Sequence, residues 1–144
     1  MKSLVIDASI TIKWIFPEKT EERHLPQSLH LLKAIREGHI NVVQPPHWLA
    51  EAAAVIVRLQ PKIADEAMDL LNAMEFNVVN AIEIYHIACT LSEKLHHHLF
   101  DTLYHAVAIY DGNTEFITDD EHYYRKAAKQ GAIIRLADFS VFDD

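Results

Sequence analysis

The chain has 144 residues, enough for one domain over residues 1–144, and its composition (half hydrophobic, about a quarter charged) excludes a disordered polymer. Its formal charge of −8, with histidines neutral, argues against a general nucleic-acid binder, which needs a basic footprint. It does not argue against a metal-dependent nuclease, whose metal-holding acids count toward the same total. The lone cysteine, Cys89, excludes an internal disulfide. Residues 1–10 do not read as a signal peptide, because Asp7 interrupts a short apolar run, and no stretch approaches the ~20 apolar residues of a membrane span. A cytoplasmic protein is expected.

In chain order, Ser3–Ile6 reads as a first strand and Ile10–Phe16 as a short helix stopped at Pro17. Glu18–Pro26 is polar and reads as a surface loop. A helix near Gln27–Glu37, with Leu29, Leu32 and Ile35 on one face, leads through Gly38 into strand-like Asn41–Gln44. Trp48–Leu59 is helical and ends before Pro61. Ile63, Ala67, Leu70, Leu71 and Met74 keep helical spacing after it. Phe76–Val79 is strand-like. Ala81–His96 is a long helix with Ile84, Ile87, Ala88, Leu91 and Leu95 inward. A helix over Thr102–Tyr110 ends at Gly112 and is followed by strand-like Glu115–Thr118. A last helix, Asp120–Gln130, ends at Gly131 before strand-like Ala132–Arg135. The only three glycines thus each follow a helix and precede a strand, the place for a left-handed helix end. Short apolar strands separated by helices predict an α/β domain. Its central sheet of four or five strands should be mainly parallel, with helices on both faces. Ligands in such sheets bind beyond the carboxyl ends of the strands.

Acids stand in the most apolar parts of this chain, where an unpartnered carboxylate is costly. Asp7 ends the first strand and could cap the helix after it, although Ser9 could cap instead. Glu51 has no basic residue three or four positions away along a helix that is apolar nearly all round, so it needs a specific partner, with His47 the nearest along the helix. Asp101 could cap the helix at Thr102. Thr118-Asp119-Asp120-Glu121 fits a capping box formed by Thr118 and Glu121, which leaves Asp119 and Asp120 unexplained. Among ten histidines, His96-His97-His98 would diverge on a helix and end it rather than grip one ion. His105, one turn from Asp101, is the histidine of interest. No HExxH, Walker or GxSxG pattern occurs.

Val5-Ile6-Asp7-Ala8-Ser9, Glu51, Phe100–Ala108 and Phe116-Ile117-Thr118-Asp119-Asp120-Glu121 resemble, in order and spacing, the four motifs of PIN domains, most closely the VapC-type toxins of bacterial toxin–antitoxin pairs. The resemblance covers nearly the whole chain. It implies a metal-dependent ribonuclease in which Asp7, Glu51, Asp101 and Asp120 line one acidic pocket, supported by the hydroxyls of Ser9 and Thr118. The family's fourth acid stands two places after the threonine, which selects Asp120. Asp119 occupies a place usually held by a small or neutral residue. The resemblance also implies an RNA substrate, an antitoxin partner and a homodimer, with the helices Trp48–Leu59 and Ile63–Met74 as the pairing surface. Oxygen donors favour Mg²⁺ or Mn²⁺ over zinc. Without metal, like charges this close should raise at least one carboxyl pKa, so metal should bind more strongly at higher pH. Lys13, Arg58, Arg125 and Lys126 are candidate RNA contacts by proximity to the motifs, against a plain reading as solvated surface, and no aromatic stacking platform is evident. Two alternatives stay open: a PIN-like module that binds RNA or protein without catalysis, and a phosphatase or phosphotransfer domain with Asp7 as nucleophile. The second lacks the usual haloacid-dehalogenase Asp two places on, where Ser9 stands instead.

Overall fold

A computed structural model of the chain describes residues 1–17 and 23–140. The expected α/β architecture is present. Its five strands are β1 (Lys2–Ile6), β2 (Ile40–Gln44), β3 (Asn77–Val78), β4 (Thr114–Thr118) and β5 (Ile133–Arg135). They pair in the order β3-β2-β1-β4-β5, and every pairing is parallel. The α-helices among the described residues are α1 (Ala8–Ile15), α2 (Leu25–Arg36), α3 (Trp48–Leu59), α4 (Ala64–Asn72), α5 (Ile82–Leu95), α6 (Leu99–Asp111) and α7 (Glu121–Ala127). None is long and apolar enough to cross a membrane.

Strand alternation divides the core between the two faces of the sheet. Leu4 and Ile6 of β1 and Ile117 of β4 pack with Ile10 and Leu31 on one face. Val5 and Phe116, one residue out of phase, pack with Trp48, Ile56, Tyr104 and Val107 on the other. Each of the first four β-strands is followed by a helical connection that returns across the sheet, so the strands run parallel and their carboxyl ends gather on one edge. The order reverses at β1, with β2 on one side and β4 on the other. The chain therefore leaves β1 and β4 toward opposite faces and opens a crevice at Asp7 and Thr118, the usual ligand position in such sheets.

Several boundaries and faces differ from expectation. The helix expected from Gln27 begins at Leu25, with Pro26 in its first turn, where a missing N–H is harmless. The surface loop expected over Glu18–Pro26 is thus shorter; its residues 18–22 lie outside the described residues. The buried stripe of α2 is Ser28, Leu31 and Ala34, and Leu29 is exposed. Two apolar stripes compete on this helix, and packing over Leu4 and Ile117 selects the one carrying Leu31. Leu70 of α4 likewise faces outward, while Ala67 and Leu71 are buried. The strand at Phe76–Val79 shrinks to Asn77–Val78 at the sheet edge, where only these two residues pair with β2, and Phe76 packs its ring on Trp48 (5.2 Å between centroids). All three glycines take positive φ, +80° at Gly38 and Gly112 and +76° at Gly131, but with ψ of −177° Gly131 is extended rather than a left-handed helix end.

Candidate active site

Asp7 sits where β1 hands over to α1. It occupies the N-cap position, but its side chain makes no capping bond. Instead its Oδ2 accepts hydrogen bonds from Ser9 Oγ and Thr118 Oγ1, both at 2.8 Å. The backbone that places it is braced from β2. Gln44, fully buried, donates from its side-chain amide to Ile6 O (3.1 Å) and accepts from Ile6 N (2.9 Å). The Gln44 side chain thus continues the β1–β2 ladder past its last backbone pair, Leu4 with Val42. On the other side, Asp7 N donates to Ile117 O at 3.1 Å.

Glu51 and Asp101 converge on Asp7 from α3 and α6. One carboxylate oxygen from each of the three lies within 4.8 Å of the others. Glu51 is half-buried in the first turn of α3, 3.4 Å from His47 Nε2, the partner expected along the helix. The helix itself is not buried all round as its sequence implied. Only Trp48, Ala52 and Ile56 are buried, and Val57 and Leu59 are exposed. Asp101 is not a cap either. α6 begins at Leu99 with His98 as its N-cap residue, which moves Asp101 into the first turn.

Burial is the main reason the Asp7 carboxyl is pushed up to about 7. The Ser9 and Thr118 hydroxyls oppose this by favouring the charged form, and the negative charges of Asp101 and Glu51 add to it. The expected like-charge effect is therefore real but smaller than desolvation. Tyr104, buried beneath the cluster, is raised first by burial and then by Glu51, Asp7 and Asp101. Its ring meets His47 edge-on at 4.8 Å and stacks on Phe116 at 5.8 Å.

The two acids after β4 separate. Asp120, not Thr118, caps α7, with Oδ1 accepting from Tyr123 N at 3.1 Å. The Thr118–Glu121 capping box is thereby displaced, and Thr118 Oγ1 instead accepts from Asp120 N while donating to Asp7. Asp120 lies outside the three-carboxylate group. Asp119 is nearly buried, 3.2 Å from Lys13 Nζ and 2.6 Å from His24 Nδ1. Its backbone N–H donates to Ser9 Oγ at 3.2 Å. The sequence offered no sign of this three-residue cluster, because its members come from α1, the turn before α2 and the end of β4.

The histidine readings require correction. His105 is buried with its Nε2 on Gly131 O (2.7 Å) and Nδ1 on Tyr123 OH (2.9 Å). Burial lowers its pKa, and a carbonyl only accepts, so Nε2 carries the proton and Nδ1 accepts from the tyrosine. It is a core residue, turned away from the acids. His96–His98 end a helix, as expected, rather than ride on one. α5 ends at Leu95, His96 adopts φ +51°, and the chain turns so that His97 and His98 stack (4.8 Å, 26°). Both then point at Asp101 Oδ2, His97 Nε2 at 2.6 Å and His98 Nε2 at 3.1 Å. Their spacing to Asp101, four and three residues, was a visible signal of contact at a helix start.

Of the basic residues expected near RNA, Lys13 is buried against Asp119 and does not present its charge to solvent. Lys126 contacts His96 O (3.2 Å) and His97 Nδ1 (3.3 Å). Arg58 and Arg125 are exposed in the last turns of α3 and α7.

The donor set fits a hard divalent cation: three carboxylates from three elements, crowded at low exposure, with burial raising the pKa of the Asp7 carboxyl. The PIN domain profile matches residues 4–129 of the chain. A comparison with curated proteins returned no match. Among solved structures, a toxin–antitoxin complex from Klebsiella pneumoniae superposes with a TM-score of 0.67 at 15% identity, covering 92% of this chain and 97% of that one. VapBC2 from Rickettsia felis, bound to a DNA fragment from their promoter, superposes with a TM-score of 0.68 at 11% identity, covering 92% and 98%. At such identities the likeness is one of fold. The profile match extends over most of the chain, from β1 through α7, and on that ground the chain belongs to the PIN domain family.

Proposed function

We propose that residues 1–144 form a single-domain, Mg²⁺- or Mn²⁺-dependent endoribonuclease, the toxin of a toxin–antitoxin pair. The observation that carries this reading is the convergence of Asp7, Glu51 and Asp101 at the carboxyl ends of the strands. Family membership and the fold shared with two toxin–antitoxin structures support it.

Asp7, Glu51 and Asp101 would hold the cation, and Asp120 is the fourth acid in this reading. Both oxygens of Asp119 are engaged by Lys13 and His24, whereas Asp120 commits Oδ1 to the helix cap. A divalent cation held there supplies positive charge against the phosphate oxygens and acidity for the attacking water. The chain's own part is positional. Ser9 and Thr118 fix Oδ2 of Asp7, so the carboxylate cannot swing away, and Thr118 ties the start of α7 to the same atom. Tyr104, buried and packed on His47 and Phe116, lies beneath the carboxylates on the core side. Arg58 and Arg125 contact RNA phosphates beyond the crevice, and the ammonium of Lys126 approaches the site behind His97.

In this reading an antitoxin docks on the mostly apolar groove of about 590 Å³ lined by Trp14, Ile15, Leu32, Ile35, Leu70 and Arg36. A homodimer and a cytoplasmic location belong to the same reading. The test is cleavage of mixed RNA by the purified chain with Mg²⁺, with Mn²⁺ and with chelator. Cleavage that requires either ion and disappears in Asp7→Asn is expected. A chain that cuts no RNA with either ion, beside a working control nuclease, removes the reading.

A further inference from the structure

The pair of imidazoles on Asp101 forms a second donor set that the carboxylate site does not use. His97 Nε2, His98 Nε2 and a carboxylate oxygen of Asp101 lie within 4.8 Å of one another. Two of these donors are nitrogens, a set that suits borderline ions such as zinc or cobalt far better than magnesium. We propose that His97, His98 and Asp101 bind a single borderline transition ion of the zinc class, and that this ion draws Asp101 away from the carboxylate cluster.

The geometry supports three-point capture with little movement. In a tetrahedral site with ligands near 2.0–2.1 Å, donor atoms stand about 3.3 Å apart. His97 and His98 approach Asp101 Oδ2 at 2.6 and 3.1 Å, so shifts below about an ångström bring these two separations to that value, and the two imidazole nitrogens lie within 4.8 Å of each other. The rings are already stacked side by side, which limits the ordering that binding would require. The His98 side chain is 65% exposed and that of His97 only 8%, so an ion enters from solvent past His98 and leaves a fourth position for water.

Lys126 holds this set in its metal-free form. An ammonium only donates, so at 3.3 Å it makes His97 Nδ1 the acceptor and leaves the ring proton on Nε2, which donates to Asp101. Metal at Nε2 requires the opposite tautomer, with Nδ1–H seeking an acceptor. Lys126 is thus a brake on the site, and a glutamine there, whose amide oxygen accepts, would release it.

The experiment uses the full chain stripped with chelator and titrated with Co²⁺, read by its visible absorption. One Co²⁺ per chain at the histidines, displaced directly by Zn²⁺, is expected, and excess Mg²⁺ should weaken it only by competing for the shared Asp101. His98→Ala should weaken Co²⁺ binding at least tenfold with the fold intact, since that ring is mostly in solvent, and Lys126→Gln should tighten it. Wild-type Co²⁺ affinity and spectrum in His98→Ala would overturn the proposal, as would weaker binding in Lys126→Gln. The consequence for activity, inhibition of RNA cleavage by Zn²⁺, rests on the nuclease reading; the spectrum does not. A chain that cuts no RNA but binds Co²⁺ through His98 defeats the nuclease reading alone. A nuclease whose Co²⁺ binding ignores His98 defeats this one alone.

Discussion

Replacing Asp7 by Asn should make the metal-free protein more stable at pH 8 while destroying its activity. The Asp7 carboxyl moves from 3.8 to about 7 on folding, chiefly because it is buried. A raised acid pKa means that the folded chain binds the proton more tightly than the unfolded chain. The resulting stability is fully present below 3.8 and is lost as pH rises through about 7. At about 1.4 kcal/mol per pH unit, ionising Asp7 costs the metal-free fold about 4 kcal/mol. Asparagine keeps the shape and an oxygen that can accept from Ser9 and Thr118, but carries no charge. Urea unfolding in chelator, from pH 4 to pH 8, would read the difference between variant and wild type. It should be small at pH 4 and grow in the variant's favour by several kcal/mol by pH 8. Mn²⁺ should then stabilise the wild type more than the variant, because an ion that binds only the folded chain adds to its stability. A difference that stays flat with pH, or favours the wild type at pH 8 in chelator, would refute the claim that desolvation of Asp7 strains this site.

Gln44→Ala removes both hydrogen bonds that brace the end of β1. At about 1–3 kcal/mol for each of the two buried groups left unpaired, the loss should reach roughly 2–6 kcal/mol by denaturant unfolding. A loss under about 0.5 kcal/mol would mean that water replaces the amide at little cost. Lys13→Met alone should destabilise by about 3–5 kcal/mol, since it takes the ammonium from the nearly buried Asp119 carboxylate. The double variant Lys13→Met/Asp119→Leu should recover most of that loss; equal losses in the single and double variants would show that packing, not charge, holds these residues.

The sequence by itself determined the layer architecture, because short apolar strands alternating with helices have few other ways to bury both faces of a sheet. It also placed Asp7 and Thr118 at strand ends, and it marked Glu51 as a carboxylate needing a partner. Helix faces were less legible where two apolar stripes competed, as in α2, since only the neighbouring surface selects one. Cap positions around Asp101 and Asp120 shifted by a few residues, and those shifts changed the roles of His98 and Thr118. Only the tertiary structure decided which polar atoms meet. Gln44 reaches β1 across 38 residues, Thr118 reaches Asp7 across 111, and His24 reaches Asp119 across 95. The two imidazoles turned onto Asp101 only because His96 breaks the helix in a left-handed conformation. Local periodicity reports the face a residue turns to the core; contacts across such distances depend on how the chain closes, and closure is a property of the packed sheet.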